Sequence, residues 1–157
     1  MYPDFKKKNK KTINKNFKIL DCTLRDGSYV VNFSFSASDT KNIAKALDNL
    51  GLDFIEVGHG IGLGASNNKF TKAAASDEEY MEAASEAVKK NKWGMFFIPQ
   101  IGNEKDIRLA SKYKMDFIRI GVDIKDYKST ERYINVSKDN SMFVAVNFMK
   151  SYASKTS

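Results

Sequence analysis

The sequence feature that most constrains the fold is a regular alternation of short apolar runs with amphipathic helical patterns. Apolar runs of strand length occur at 17–23, 53–57, 93–98, 116–120 and 141–148. Helical patterns lie between them at 38–50, 76–90, 103–113 and 129–138, each with apolar residues on one face. Strands that alternate with helices predict a parallel sheet joined by right-handed crossovers, and therefore an α/β fold.

Capping residues support the helical patterns. Ser38 is expected to cap the first helix, and Gly51 to end it. Ser76 and Glu79 have the spacing of a capping box at the start of the second helix. Asn103 is expected to cap the third helix. The continuous apolar run at 141–148 predicts a fifth strand that is buried on both faces.

Two architectures fit this order: an open doubly wound sheet, and the first part of a (β/α)8 barrel. A complete barrel takes about 250 residues, whereas this chain has 157 and holds about five βα units. Length alone favours the open sheet, so the motifs must decide between the two.

The distribution of charge excludes several classes of function. The formal net charge is +7, and residues 1–18 hold seven lysines and one acid, so the rest of the chain is nearly neutral. We therefore expect a basic leader over 1–16 followed by one domain over 17–157, without the basic face that binding to nucleic acid would need. No apolar run reaches the roughly 18 residues of a membrane span. A single cysteine and the absence of a secretory signal favour the cytoplasm.

The segment LDCTLRDGSY, at 20–29, carries the clearest chemistry. Arg25 and Asp26 follow the first strand directly, and in parallel α/β folds the carboxyl ends of the strands face the active site. A guanidinium binds carboxylates or enolates, and a carboxylate is a hard ligand for Mg²⁺ or Mn²⁺. Taken as an isolated tetrapeptide, the same residues would instead form a surface ion pair in a turn.

Three segments resemble the pyruvate-aldolase branch of the metal-dependent TIM-barrel lyases: DCTLRDG at the first strand, IEVGHGIGLGASNNKF at the second and IPQIG after the third. This superfamily also holds the hydroxymethylglutaryl-CoA lyases and the isopropylmalate synthases. The resemblance is closest to the 4-hydroxy-2-oxovalerate aldolases and runs from 18 to 148. It implies that the chain is the N-terminal portion of a TIM (β/α)8 barrel.

The resemblance also implies an activity and a set of site residues. The reaction would be metal-dependent aldol cleavage of a 4-hydroxy-2-oxo acid to pyruvate and an aldehyde. Asp26 would bind Mn²⁺ or Mg²⁺ and, through it, the 2-oxo acid substrate. Arg25 would bind the substrate and stabilise the enolate, as a catalytic residue. Family members pass their aldehyde to an acylating aldehyde dehydrogenase, which is the partner implied.

The sequence departs from the family pattern at two places. Tyr29 stands where catabolic members have a histidine base; it is a catalytic candidate that could orient substrate, or else a packing aromatic. The family completes its metal site with a His-x-His pair on a later strand, and the only histidine here is His59. These departures motivate an alternative function: a catalytically silent half-barrel that pairs with the other barrel half or with a second copy.

Four further residues in or after the predicted strands are candidates for the site. His59 is expected to be a hydrogen-bonded structural histidine. Glu56 is expected to pair with Arg25 or Arg119 inside the barrel, and otherwise to support the metal. Cys22 is expected to be a buried small hydrophobe. Asn147, at the end of the fifth strand, is a weak candidate for the site.

Overall fold

A computed structural model of the protein describes residues 17–66, 68 and 71–153. The basic leader predicted over 1–16 lies outside the described residues. The strands are β1 (Leu20–Asp21), β2 (Phe54–Val57), β3 (Lys92–Phe97), β4 (Phe117–Asp123) and β5 (Phe143–Met149). The helices are α1 (Ala37–Asp48), α2 (Asp77–Ala87), α3 (Glu104–Lys112) and α4 (Glu131–Asp139).

The strands form one parallel sheet in the order β1-β2-β3-β4-β5. A doubly wound sheet would reverse its strand order at a switch point, and this sheet does not. Because every crossover runs between neighbouring strands with the same hand, all helices lie on one face of the sheet. This is the arrangement of a barrel wall, and the sheet curls as half of one. The predicted α/β partial barrel is confirmed.

Side-chain capping boxes begin three of the four helices. Ser76 with Glu79 and Asn103 with Asp106 cap α2 and α3, so both predicted caps are confirmed. The predicted cap of α1 is wrong, because Ser36 and not Ser38 accepts the hydrogen bond from the backbone N–H of Asp39. The carboxylate of Asp39 in turn accepts from the N–H of Ser36, which starts the helix two residues earlier than a cap at Ser38 would.

α2 ends at Ala87, three residues before the predicted end. The following turn is held by Asp48, whose buried carboxylate accepts hydrogen bonds from the backbone N–H groups of Lys89, Lys90 and Asn91. These bonds take the place of further helical turns. They also tie the end of α1 to the loop before β3.

The hydrophobic core lies between the sheet and the helices. Alternate residues of each strand point to opposite faces, and those facing the helices are buried. They pack against apolar residues of α2, α3 and α4. The outward-facing strand residues in this core are Ile55, Val57, Trp93, Met95, Phe97, Ile118 and Ile120.

The concave face of the sheet carries aromatic rings at the N-terminal ends of its strands. The Phe54 ring packs edge-on against Phe117, with 5.1 Å between centroids, and stacks on Phe143 at 5.9 Å. Gly94 on β3 makes room for Phe117, because a Cβ at this position would lie 2.6 Å from the Phe117 ring.

β5 differs from its predicted environment. None of its residues is buried, and Phe143 is 55% exposed. The strand pairs only with β4, so its other edge lacks a neighbouring strand among the described residues. The apolar sequence of β5 suits a strand buried on both faces, but five strands alone do not enclose it.

Lysines gather at the N-terminal end of the sheet, where the sequence suggested no basic cluster. Lys92, Lys114 and Lys138 line one depression there. Lys138 lies in the last turn of α4, and Lys114 follows the end of α3. A cation in such a place offsets the negative end of the helix dipole, which accounts for two of the three.

Among the described residues, no helix has the length and apolar character needed to span a bilayer.

Candidate active site

A tight turn after β1 returns the chain over the carboxyl ends of the strands. The carbonyl of Cys22 accepts hydrogen bonds from the backbone N–H groups of Arg25, Asp26 and Gly27, at 3.1, 2.7 and 3.3 Å. A 3-10 turn then spans Asp26–Tyr29. This geometry places the Arg25 side chain against the concave face and leaves Asp26 on the outside.

The centre of the site is the fully buried carboxylate of Glu56 on β2. The Nε atom of Arg25 donates to its Oε2 at 2.7 Å. Arg119 on β4 donates twice, from Nε to Oε1 at 2.8 Å and from Nη2 to Oε2 at 2.7 Å. Charge-assisted and bidentate bonds of this kind are among the strongest in proteins. The expectation that Glu56 pairs with arginine inside the barrel is confirmed for both arginines.

Both guanidiniums also lie over one aromatic ring. The Cζ atom of Arg25 is 4.8 Å from the centroid of the Phe96 ring, and that of Arg119 is 4.6 Å away. The side chains of Arg25 and Arg119 are only 11% and 18% exposed. Two cations, one from the turn after β1 and one from β4, are therefore held close together by one carboxylate and one ring.

Asp26 is 66% exposed and accepts a hydrogen bond from Nη1 of Arg25 at 2.7 Å. The ion pair that an isolated turn would form is thus present. Arg25 itself is mostly buried, because it bridges Asp26 and Glu56. For an exposed carboxylate such as Asp26, the pair adds little to stability.

The described residues do not build a metal centre from their own side chains. No group of three or more histidine, cysteine, aspartate or glutamate side chains is placed to hold an ion among them. Asp26 offers a hard oxygen ligand of the type that Mg²⁺ and Mn²⁺ prefer. The carboxylate of Glu56 is already occupied by two arginines. The residues present therefore fit at most one protein ligand, Asp26.

Cys22 lies beside the same carboxylate, with its Sγ 3.4 Å from Oε2 of Glu56. Burial raises the pKa of this thiol, and the negative charge of Glu56 raises it further. The thiol therefore remains protonated at neutral pH. The expectation of a buried small hydrophobe is wrong, since Cys22 is only partly buried and its thiol contacts Glu56.

Tyr29 packs at the rim of the site. Its ring meets Phe33 edge-on with centroids 5.1 Å apart. A Cβ at Gly60 would lie 2.6 Å from the ring, so the loop after β2 closes on this side chain. Burial raises the pKa of Tyr29, and nearby Asp26 raises it too while Arg25 lowers it. A protonated hydroxyl can donate a hydrogen bond but is a poor general base.

His59 is a buried structural residue, as expected. Its Nε2 donates to the carbonyl of Thr71 at 2.6 Å, and its Nδ1 accepts from the N–H of Ile61 at 3.1 Å. The ring stacks on Phe33 at 4.1 Å. Burial lowers the pKa of the imidazole, so it is neutral at pH 7. Its two nitrogens hold the loop after β2 in place.

Asn147 lies on β5 in register with Gly121 of β4, on the same face as Arg119. An ion pair that the sequence did not indicate joins Asp123, at the end of β4, to Lys150 at 3.0 Å. Sequence reasoning missed Phe96, because within the apolar run 93–98 it resembles any core aromatic.

The model of the HMGL-like family matches residues 16–157 of the chain. The chain belongs to the HMGL-like family. It is 36% identical over 135 residues to 4-hydroxy-2-oxovalerate aldolase of Carboxydothermus hydrogenoformans, which covers 86% of this chain and 40% of that protein. It is 34% identical to oxaloacetate decarboxylase of Mycobacterium tuberculosis, over 85% of this chain and 39% of that protein.

The fold has a counterpart among solved structures. The N-terminal domain of a proposed aldolase from Bacteroides vulgatus superposes with a TM-score of 0.69 at 23% identity, covering 87% of this chain and 46% of that one. This similarity supports the partial barrel and concerns the fold alone. The chain spans about two fifths of the length of the curated relatives it matches. The resemblance found in the three motif segments is confirmed at the level of the family by the family match and by the aldolase relative.

Proposed function

We propose that this chain supplies the first part of a barrel that cleaves a carbon–carbon bond in a small 2-oxo acid and releases pyruvate. The observation that carries the proposal is the pair of guanidiniums, Arg25 and Arg119, fixed by one buried carboxylate at the carboxyl ends of the strands. Relatives named 4-hydroxy-2-oxovalerate aldolase and oxaloacetate decarboxylase support this class of substrate. Both names imply a bond cleavage that leaves the enolate of pyruvate.

The two arginines would act as the anion-binding part of the site. Within the described part of the chain, Nη2 of Arg25 and Nη1 of Arg119 donate no hydrogen bond, whereas their other nitrogens serve Glu56 and Asp26. These free N–H groups could meet the carboxylate of the substrate and the oxygen that becomes the enolate. Donors already in place where charge develops lower the barrier most effectively.

The reaction would begin when a general base from outside the described residues takes the proton from the C4 hydroxyl of a 4-hydroxy-2-oxo acid, and the same group would return a proton to C3 in the last step. The C3–C4 bond then breaks, its electron pair forms the enolate, and the C4 fragment leaves as an aldehyde. Protonation of the enolate at C3 gives pyruvate. Arg25 is the catalytic residue that contacts the enolate oxygen. Tyr29 keeps its proton and would orient the substrate rather than remove the hydroxyl proton.

A divalent ion, Mn²⁺ or Mg²⁺, would supply Lewis-acid stabilisation of the same oxygens when bound. Asp26 is the residue of this chain proposed to hold it. The remaining ligands would come from outside the described residues, because these do not complete a metal centre.

The test measures pyruvate. The chain is incubated with Mn²⁺ and either 4-hydroxy-2-oxovalerate or oxaloacetate, alone and together with the C-terminal barrel segment of the Carboxydothermus relative. Because Mn²⁺ alone slowly converts oxaloacetate to pyruvate, the rate is compared with a protein-free sample. We expect pyruvate release above that rate, lost in Arg25→Lys and Asp26→Asn and kept in Arg108→Lys. Arg108 is the matched control because it is an exposed arginine on α3 that pairs with Glu104 at 3.6 Å, away from the Glu56 cluster. If no combination releases pyruvate faster than the protein-free sample, the proposal is contradicted.

A second candidate function is an interaction module, in which the half-barrel pairs with a separate barrel half or with a second copy. The specific observation is that, among the described residues, β1 and β5 each pair with a single strand, while Phe143 and Phe148 stay about half exposed. Unpaired strand edges readily join other chains. Analytical ultracentrifugation of the chain, with and without the C-terminal segment, tests this function. A monomer that stays monomeric in both samples contradicts it.

A further inference from the structure

We infer that Phe96 is a positioning residue that fixes the directions of the two arginines. Its importance for catalysis rests on the proposed function, whereas its effect on the arginine side chains does not. Phe96 has no polar atom and sits in the third position from the end of an apolar run, FFI. Its side chain nevertheless faces the concave side, opposite to its neighbour Phe97.

The charge balance of the cluster explains why a ring is needed. Arg25 and Arg119 bring two positive charges to the single buried carboxylate of Glu56. Asp26 also pairs with Arg25, but it is 66% exposed, so water weakens its attraction and the two guanidiniums still repel each other. The electron-rich face of an aromatic ring attracts a guanidinium within about 6 Å. Phe96 satisfies this distance for both arginines, at 4.8 and 4.6 Å. It therefore offsets the repulsion between them without adding a further charge.

The backbone places the ring against its partners. Phe96 lies in register with Arg119 on the neighbouring strand. Two residues further along β4, Gly121 faces the same side, and a Cβ at that position would overlap the end of the Phe96 ring. The missing side chain at Gly121 thus provides the space that the ring occupies. Phe96 and Gly121 form a matched pair across two strands.

The ring also limits how the guanidiniums can turn. Arg25 is held by Nε to Glu56 and by Nη1 to Asp26. Because Asp26 is 66% exposed and can move together with the guanidinium, these two bonds still leave Arg25 some freedom to rotate. Contact with Phe96 restricts this rotation and keeps Nη2 available on the open side. Both bonded nitrogens of Arg119 donate to the fully buried Glu56, so Phe96 contributes less to the orientation of Arg119. The loss of Phe96 should therefore affect Arg25 more than Arg119.

Nuclear magnetic resonance of the arginine Nε–Hε groups tests this inference in the chain as it is. The sequence has only four arginines, at positions 25, 108, 119 and 132, and lysine substitutions assign the signals of Arg25 and Arg119. In Phe96→Leu we expect the Arg25 signal to lose its ring-current shift and to exchange with water about tenfold faster, because its side chain is freed. Phe96→Tyr should keep the wild-type signals.

Phe97→Leu is the matched control. Phe97 is the adjacent ring on the same strand, but it is buried on the helix side against Tyr133, with centroids 4.8 Å apart. We expect this variant to lower the melting temperature without moving the Arg25 signal. If Phe96→Leu does not fold, Gly121→Ala serves instead and should displace the ring and shift the same signal.

Two results overturn the inference: an unchanged Arg25 signal in the folded Phe96 or Gly121 variant, or an equal shift in Phe97→Leu. These readouts need no turnover, so they decide the matter even where the proposed activity is absent. Where pyruvate is released, Phe96→Leu should lower kcat about tenfold with little change in KM, because a displaced group weakens transition-state contacts. If Phe96→Leu loses activity while its arginine signals stay normal, the loss does not come from displaced arginines, and the inference is overturned.

Discussion

Replacing Glu56 by glutamine tests the charge cluster directly. The glutamine side chain has nearly the same shape, but it carries no charge and has only one acceptor oxygen. It would leave Arg25 and Arg119 without their shared anion, in a place where the carboxylate is fully buried. Three short hydrogen bonds, of 2.7, 2.8 and 2.7 Å, would be weakened or lost together.

The expected loss of stability follows from this geometry. Removing one partner of a buried ion pair costs about 3–5 kcal/mol. Because the two arginines are 11% and 18% exposed, they can turn partly toward water, so we expect the lower end, about 3 kcal/mol. With a urea m-value of about 2 kcal/mol per molar, the unfolding midpoint should fall by roughly 1.5 M.

Urea unfolding followed by tryptophan fluorescence measures this change, since Trp93 is the single tryptophan and is buried. Glu86→Gln is the control. It removes the same charge from an exposed pair, in which Glu86 accepts from Lys41 at 2.6 Å, and should leave the midpoint unchanged. If Glu56→Gln shifts the midpoint no more than Glu86→Gln does, the buried cluster does not stabilise the fold as argued.

Three further predictions concern the scaffold around the site. Asp48→Asn should cost about 2 kcal/mol, because charged hydrogen bonds to three backbone N–H groups are weakened. Burial alone would raise the pKa of Asp48, but these bonds hold it below its ordinary value; the carboxylate therefore stabilises the fold above about pH 4, and urea unfolding should show the difference between wild type and variant shrinking as the pH falls below that. Burial lowers the pKa of His59, so stability should fall as the pH drops below about 6.5, and thermal melts from pH 8 to 5 should show a flatter dependence in His59→Gln; an equal slope in both proteins would be evidence against a neutral His59. Ser76→Ala should cost about 1 kcal/mol through loss of the α2 cap, measured by the same melts, and an unchanged melting temperature would count against this cap.

The strand and helix order could be read from the sequence because each element has its own pattern of apolar residues. The caps at Ser76 and Asn103 were predictable for the same reason, since a serine or asparagine precedes an acid by three residues. The pair Ser36 and Asp39 has this spacing as well, so the correct start of α1 was available in the sequence. Ser38 is misleading because it also stands next to the apolar face.

The environment of β5 could not be predicted from the chain alone. Its apolar sequence is typical of a strand that is buried on both faces, whereas β5 is the last strand of the described sheet. The site was predictable in part. Arg25 and Asp26 follow a strand end, and the isolated charges of Glu56 and Arg119 inside apolar strands indicate an internal pair. Phe96 carries no such signal, because only the three-dimensional register brings it next to two arginines.

The cluster around Glu56 joins β2, β4 and the turn after β1, which are distant along the chain: Arg25 and Arg119 lie 31 and 63 residues from the glutamate. A slip of β4 by a single position would turn Arg119 toward the helices and bury an unmatched cation. The charges of this cluster thus meet only when β1, β2 and β4 are correctly aligned, and its two arginines are the groups proposed to bind the substrate. A misaligned sheet would leave these charges unpaired and would be less stable. A correctly folded chain therefore has both arginines in place.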